Sequence, residues 1–160
     1  MSLVSLVLGL SACEEDAKLE VEAFPVPERP SAHYITDQTE IAGRMLALWY
    51  EDTACKLEIK RQGKPIGDKQ GLQATAPCYF IKSPGSDRVQ VYQHDKNTRV
   101  VAVVGTPVKT KQPDKQCGQA LQGIVIDGGD IRITRNVRRG SVYCVDSGLD
   151  NFQYSLFAQP

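Results

Sequence analysis

Leu121-Gln122-Gly123-Ile124-Val125-Ile126-Asp127-Gly128-Gly129-Asp130-Ile131-Arg132-Ile133-Thr134 is the stretch that decides how this chain is read. Two runs rich in β-branched residues flank two glycines set between aspartates. Branched side chains suit the pleated surface of a sheet. Glycine takes the positive φ values that a short hairpin turn requires. The stretch therefore predicts two antiparallel strands joined by a tight turn. Upstream, Cys55-Lys56-Leu57-Glu58-Ile59-Lys60 alternates apolar and charged residues, as a strand with one wet face does, and Gly63-Lys64-Pro65 ends it. Further strands are expected at Leu72 to Ile81, Arg88 to Gln93, Thr98 to Val104, Ser141 to Val145 and Phe152 to Phe157, with Asp95-Lys96-Asn97 linking two of them. Between Glu40 and Tyr50 a helical stripe (Ile41, Met45, Trp49) competes with a strand beginning after Gly43, and periodicity does not choose. The sum is an all-β domain, a small antiparallel barrel or sandwich of about eight strands. No long amphipathic run supplies the crossover helices of a parallel sheet. Lys109 to Lys115 is read as a polar loop dividing two four-stranded halves.

With 160 residues the chain has room for one domain and a tail. Lysine plus arginine equals aspartate plus glutamate, 19 each, so no overall field draws it to nucleic acid or to a membrane surface. Of the five cysteines, Cys13 ends an apolar run and Cys55, Cys78, Cys117 and Cys144 lie in the strand-rich body. None forms a closely spaced pair and no histidine is near in sequence, which argues against zinc and for a disulfide framework. Three connectivities are open. The local pairings Cys55–Cys78 and Cys117–Cys144 are favoured, each closing a loop of roughly 25 residues.

The apolar stretch Ser2 to Leu10 is too short to span a bilayer. It leads into Leu10-Ser11-Ala12-Cys13, which resembles the lipobox of bacterial lipoprotein signal peptides, although no lysine or arginine precedes it. The resemblance implies a signal peptide over residues 1–12, cleavage before Cys13, lipidation of Cys13 and residence in the periplasm. Membrane contact is then through the lipid anchor alone. Glu14, rather than aspartate, follows the cysteine, which by analogy with lipoprotein sorting points to the outer membrane. Residues 13–33 are acidic and carry Pro25, Pro27 and Pro30, which favour extended backbone. They are read as a flexible tether for a domain at residues 34–160.

Catalytic signatures are not found. His33 is placed in the tether and His94 in a turn, both solvated, and the usual nucleophile, metalloprotease and nucleotide motifs are missing from the sequence. Asp127 and Asp130 stand in a loop too short for calcium. No enzyme activity, cofactor or metal is expected. Two candidate partner-binding surfaces remain. One is the arm Phe24 to Ser31, with Phe24, Pro25 and Pro27. The other is Arg132, Arg135, Arg138 and Arg139, read as clustered on a hairpin around Asn136 and Gly140, whose guanidinium forks suit carboxylates or phosphates.

Ile41-Ala42-Gly43, Ala54-Cys55-Lys56-Leu57-Glu58-Ile59 and Cys78 resemble the periplasmic inhibitors of serralysin-type metalloproteases, over about residues 40 to 105. Arg44-Met45 stand where that family usually has a tryptophan, and the second cysteine pair is additional. The resemblance implies an eight-stranded antiparallel barrel whose N-terminal arm enters the cleft of a zinc protease. Two functions are expected from these readings. The first is a binding protein that inhibits or neutralises a protein partner, such as a secreted protease or a toxin. The second is an accessory lipoprotein of an envelope assembly or secretion system.

Overall fold

A computed structural model describes residues 33–105 and 115–160. The described chain forms twelve strands and one short helix, in two five-stranded antiparallel sheets and a two-stranded ribbon. Six strands have eight or nine residues: β1 (His33–Ile41), β2 (Arg44–Glu51), β3 (Ala54–Arg61), β8 (Thr98–Gly105), β10 (Ala120–Asp127) and β11 (Asp130–Arg138). The others are fragments of two or three: β4 (Lys64–Pro65), β5 (Gln70–Leu72), β6 (Cys78–Phe80), β7 (Tyr92–Gln93), β9 (Cys117–Gly118) and β12 (Tyr143–Cys144). The helix α1 is Asn151–Ala158.

The first sheet runs β1-β2-β3-β4, with β5 also on β3. Its three hairpins turn through Ala42-Gly43, Asp52-Thr53 and Gln62-Gly63, and all six of these residues have positive φ. That geometry twists the turn the same way as the strands it joins. Glu40 to Tyr50 is thus the end of one strand, a turn and a second strand beginning at Arg44. The second sheet runs β11-β10-β8-β6, with β7 also on β8. The chain passes between the sheets at residues 73–77, and not at the loop after Lys109, most of which lies outside the described residues.

The sheets share one core. Leu46, Leu48, Leu57 and Ile59 of the first sheet meet Phe80, Val101, Val103, Ile124 and Ile126 of the second. On its far side the second sheet is covered again. Val100, Ala102, Val104, Leu121 and Val125 pack under Tyr143, Val145, Tyr154 and Phe157. Burial on both faces explains why β8 and β10 lack the alternation seen in β3.

The expected barrel does not close, because the backbone ladder is interrupted at two seams. At the first, a bulge in β1 after Ile35 turns Thr36 and Asp37 toward the edge of β6. The Thr36 hydroxyl donates to Cys78 O at 2.6 Å, and the Phe80 N–H donates to Asp37 Oδ2 at 3.0 Å. At the second, the buried Gln122 side chain bridges residues 73–74 to β11. Side chains satisfy these edges where a barrel would use another strand. The Cys55–Cys78 disulfide joins the two sheets beside the first seam, and Cys117–Cys144 staples the β9–β12 ribbon.

Of the expected strands, Arg88 to Gln93 is reduced to Tyr92–Gln93 and Ser141 to Val145 to Tyr143–Cys144, and two more need correction. Residues 152–157 are helical, because Asp150 accepts a hydrogen bond from Gln153 N at 2.8 Å and so caps the first turn. The pair Tyr154 and Phe157 then falls on one face. Leu72 to Ile81 is broken into β5 and β6 where the chain changes sheets.

Candidate functional site

Arg132 and Arg138 extend from β11, the outer strand of the second sheet, with Arg135 between them and Arg139 just beyond the strand. They lie along the second strand of the β10–β11 hairpin and just past its end, on an edge facing α1. The strand carries a wide irregularity. Gln122 pairs with Val137 and Ile124 with Ile133, so residues 134–136 of β11 stand opposite Gly123 alone. The extra backbone bows outward. Thr134 holds the bow, accepting from Gly123 N at 3.1 Å and donating to Asn136 O at 3.2 Å.

Between this bowed strand and the C-terminal end of α1 lie two adjoining cavities, of about 470 and 380 Å³. Both are lined by Asn136, Leu156, Phe157 and Gln159; the first adds Arg132 and Arg135, the second Arg138 and Arg139. Arg132 Nη2 donates to Ala158 O at 3.1 Å and ties the helix end to the strand. All four arginines are exposed. Among the described residues none has a carboxylate within ion-pair distance.

The outer face of the first sheet makes the contrast. There Lys56 pairs with Glu51 at 2.7 Å, Lys60 with Glu58 at 3.0 Å and Lys69 with Glu51 at 3.4 Å. Trp49 Nε1 donates to Glu58 Oε2, and Lys69 Nζ lies 3.7 Å over the Trp49 ring. The hydrogen bond from Lys56 holds the Glu51 carboxyl below its ordinary range. That face satisfies its own charges. The groove does not.

Helix α1 is positioned by buried contacts that the sequence reading did not identify. Tyr154 donates to Gln90 Oε1 at 3.0 Å, and Gln90 in turn bonds both the N–H and the carbonyl of Leu149. Burial pushes the Tyr154 phenol far above its usual range, so it stays protonated as a donor. Phe157 packs directly over Gly123, where a Cβ would fall 2.5 Å from its Cγ.

His33, expected in the tether, is the first residue of β1. Its ring lies between Glu51, at 3.4 Å, and Asp52, at 3.0 Å. His94 follows β7, and its N–H donates to Thr98 O. Asp127 and Asp130 pair across the β10–β11 turn. Among the described residues no group of three or more His, Cys, Asp or Glu side chains is arranged to hold a metal ion. No described helix is long and apolar enough to cross a membrane. Cys13, Phe24, Pro25 and Pro27 lie outside the described residues. Comparisons with family models, with curated proteins and with solved structures find no match.

Proposed function

We propose that this chain is an exported, lipid-anchored cell-envelope protein whose β-domain binds and inhibits or neutralises a protein partner, such as a secreted protease or a toxin, through the groove between β11 and α1. The observation that carries the reading is the set of exposed arginines around a concave, partly apolar groove, with no acidic partner among the described residues. Guanidinium groups left open at a cleft favour an anionic surface and steer its approach. Two disulfides accord with an oxidising compartment, and the Leu10–Cys13 resemblance supports anchoring there. A stapled domain loses little conformational entropy on binding, which is how small inhibitors bind tightly through modest interfaces.

The test uses the full chain expressed in bacteria. Mass spectrometry is expected to find an acylated Cys13, and Cys13→Ser to move the protein from membranes to the soluble fraction. Crosslinking in envelope extracts is expected to trap a discrete partner, lost in the Arg138→Glu/Arg139→Glu variant. An unmodified Cys13 would remove the anchoring reading. A crosslink indifferent to the charge reversal would remove the groove.

A further inference from the structure

The groove also carries information about what it recognises, an inference that rests on the binding reading above. We infer that it takes an extended acidic segment of a partner protein, in two parts: Arg135, Arg138 and Arg139 receive carboxylates, while Leu156 of α1, which lines both cavities, receives an apolar side chain.

Leu156 is half-buried and lines both cavities, the first with Arg135 and the second with Arg138 and Arg139. The helix is anchored by the buried Tyr154 and Phe157, so the open part of Leu156 is left to meet a ligand. An apolar side chain in a concave surface ringed by open guanidinium groups is the composition of an interface, where arginine surrounds an apolar centre. Arg132 has a different task. Its bond to Ala158 O makes it a positioning residue that holds the helix against the strand.

The shape selects among anions. A cavity of about 470 Å³ adjoining a second of about 380 Å³ offers far more room than a lone phosphate fills. A peptide chain fits both parts, with carboxylates along the arginines and one side chain against Leu156.

Fluorescence anisotropy on the oxidised full chain tests this, using a short labelled peptide of alternating glutamate and leucine. Matched peptides carry glutamine for glutamate or serine for leucine, and vesicles of phosphatidylglycerol serve as the membrane probe. The glutamate–leucine peptide is expected to bind, and each replacement to weaken it about tenfold or more. Arg138→Gln/Arg139→Gln should weaken binding and flatten its salt dependence; Leu156→Ser should weaken it and leave the salt dependence intact. Arg138 and Arg139 are exposed and Leu156 is half-buried, and unchanged circular dichroism checks that the variants fold. Equal binding of the glutamine peptide, equal binding of the serine peptide, preference for the vesicles, or no peptide binding at all would each overturn the inference. If the partner crosslink is still lost in Arg138→Glu/Arg139→Glu while the peptide fails, the binding reading stands without this mode of recognition.

Discussion

Gln122 is 1% exposed, and both ends of its amide are hydrogen-bonded. Its Oε1 accepts from Gln73 N at 2.8 Å and Ala74 N at 3.2 Å, and its Nε2 donates to Thr134 O at 2.7 Å. One side chain thus replaces a missing stretch of backbone ladder. Gln122→Leu keeps the volume and strands three backbone groups in a dry site, so urea unfolding should show a loss of about 3 kcal/mol. A loss below about 1 kcal/mol would mean that the seam closes without it. Glu51 gives a pH-dependent counterpart. Its carboxyl is held down by Lys56, so the unfolded chain takes up the proton first as the solution is acidified. The contribution is therefore present above the ordinary carboxyl value of 4.5 and is lost as pH falls through the lower, folded value. Lys56→Met should be less stable than the parent at neutral pH, and the difference measured by thermal unfolding should shrink as pH drops below 4.5. A difference that does not change with pH would show that the pair is not linked to folding.

Among the elements, α1 depends most on a single neighbour. Its contact with the sheet is possible because residue 123 has no side chain, Phe157 filling the space where a Cβ would stand. Gly123→Ala should force helix and sheet apart at a cost of about 2 kcal/mol. Because the groove is formed by that helix, partner binding should weaken as well. Gly71→Ala is the control: no atom lies within 4 Å of its added Cβ, and little loss is expected. Equal denaturation midpoints for the two variants would contradict the packing described. This element was also the hardest to read from sequence. Phe152, Tyr154 and Leu156 alternate like a strand, and aromatic residues favour strands. The signal that identifies the helix is Asp150 as a cap, with Tyr154 and Phe157 three apart on one face. By contrast, the alternation of β3 made that strand legible, because only one of its faces is buried.

For the whole molecule, the two disulfides differ in what they join. Cys55–Cys78 links the sheets across the shared core, and both residues are 1% exposed. Cys117–Cys144 links paired positions of one ribbon, where Cys144 is only partly buried. Their sequence separations, 23 and 27, are nearly equal. Restriction of the unfolded chain therefore predicts about 3 kcal/mol for either one. Replacing Cys55 and Cys78 by alanine should cost more than replacing Cys117 and Cys144, since it also leaves a cavity in the core. Thermal unfolding of the two double variants decides; an equal or smaller loss at the first pair would mean that the core closes over the vacancy.

By itself the sequence determined the β character, the antiparallel hairpins and the clustering of four arginines along one segment. Each is local: alternation, turn glycines and charge are properties of neighbours in the chain. Only the tertiary structure decided that the sheets stop short of a barrel. That outcome depends on Thr36, Asp37 and Gln122 meeting edges 42, 43 and 48 or 49 residues away. It likewise decided that β8 and β10 are covered twice, since an apolar run reports avoidance of water and not what provides the cover. The arginines became a groove only when α1 packed over Gly123 and brought Leu156 beside them. A side chain's chemistry is written in the chain, but the company it keeps is set by contacts between residues far apart in sequence.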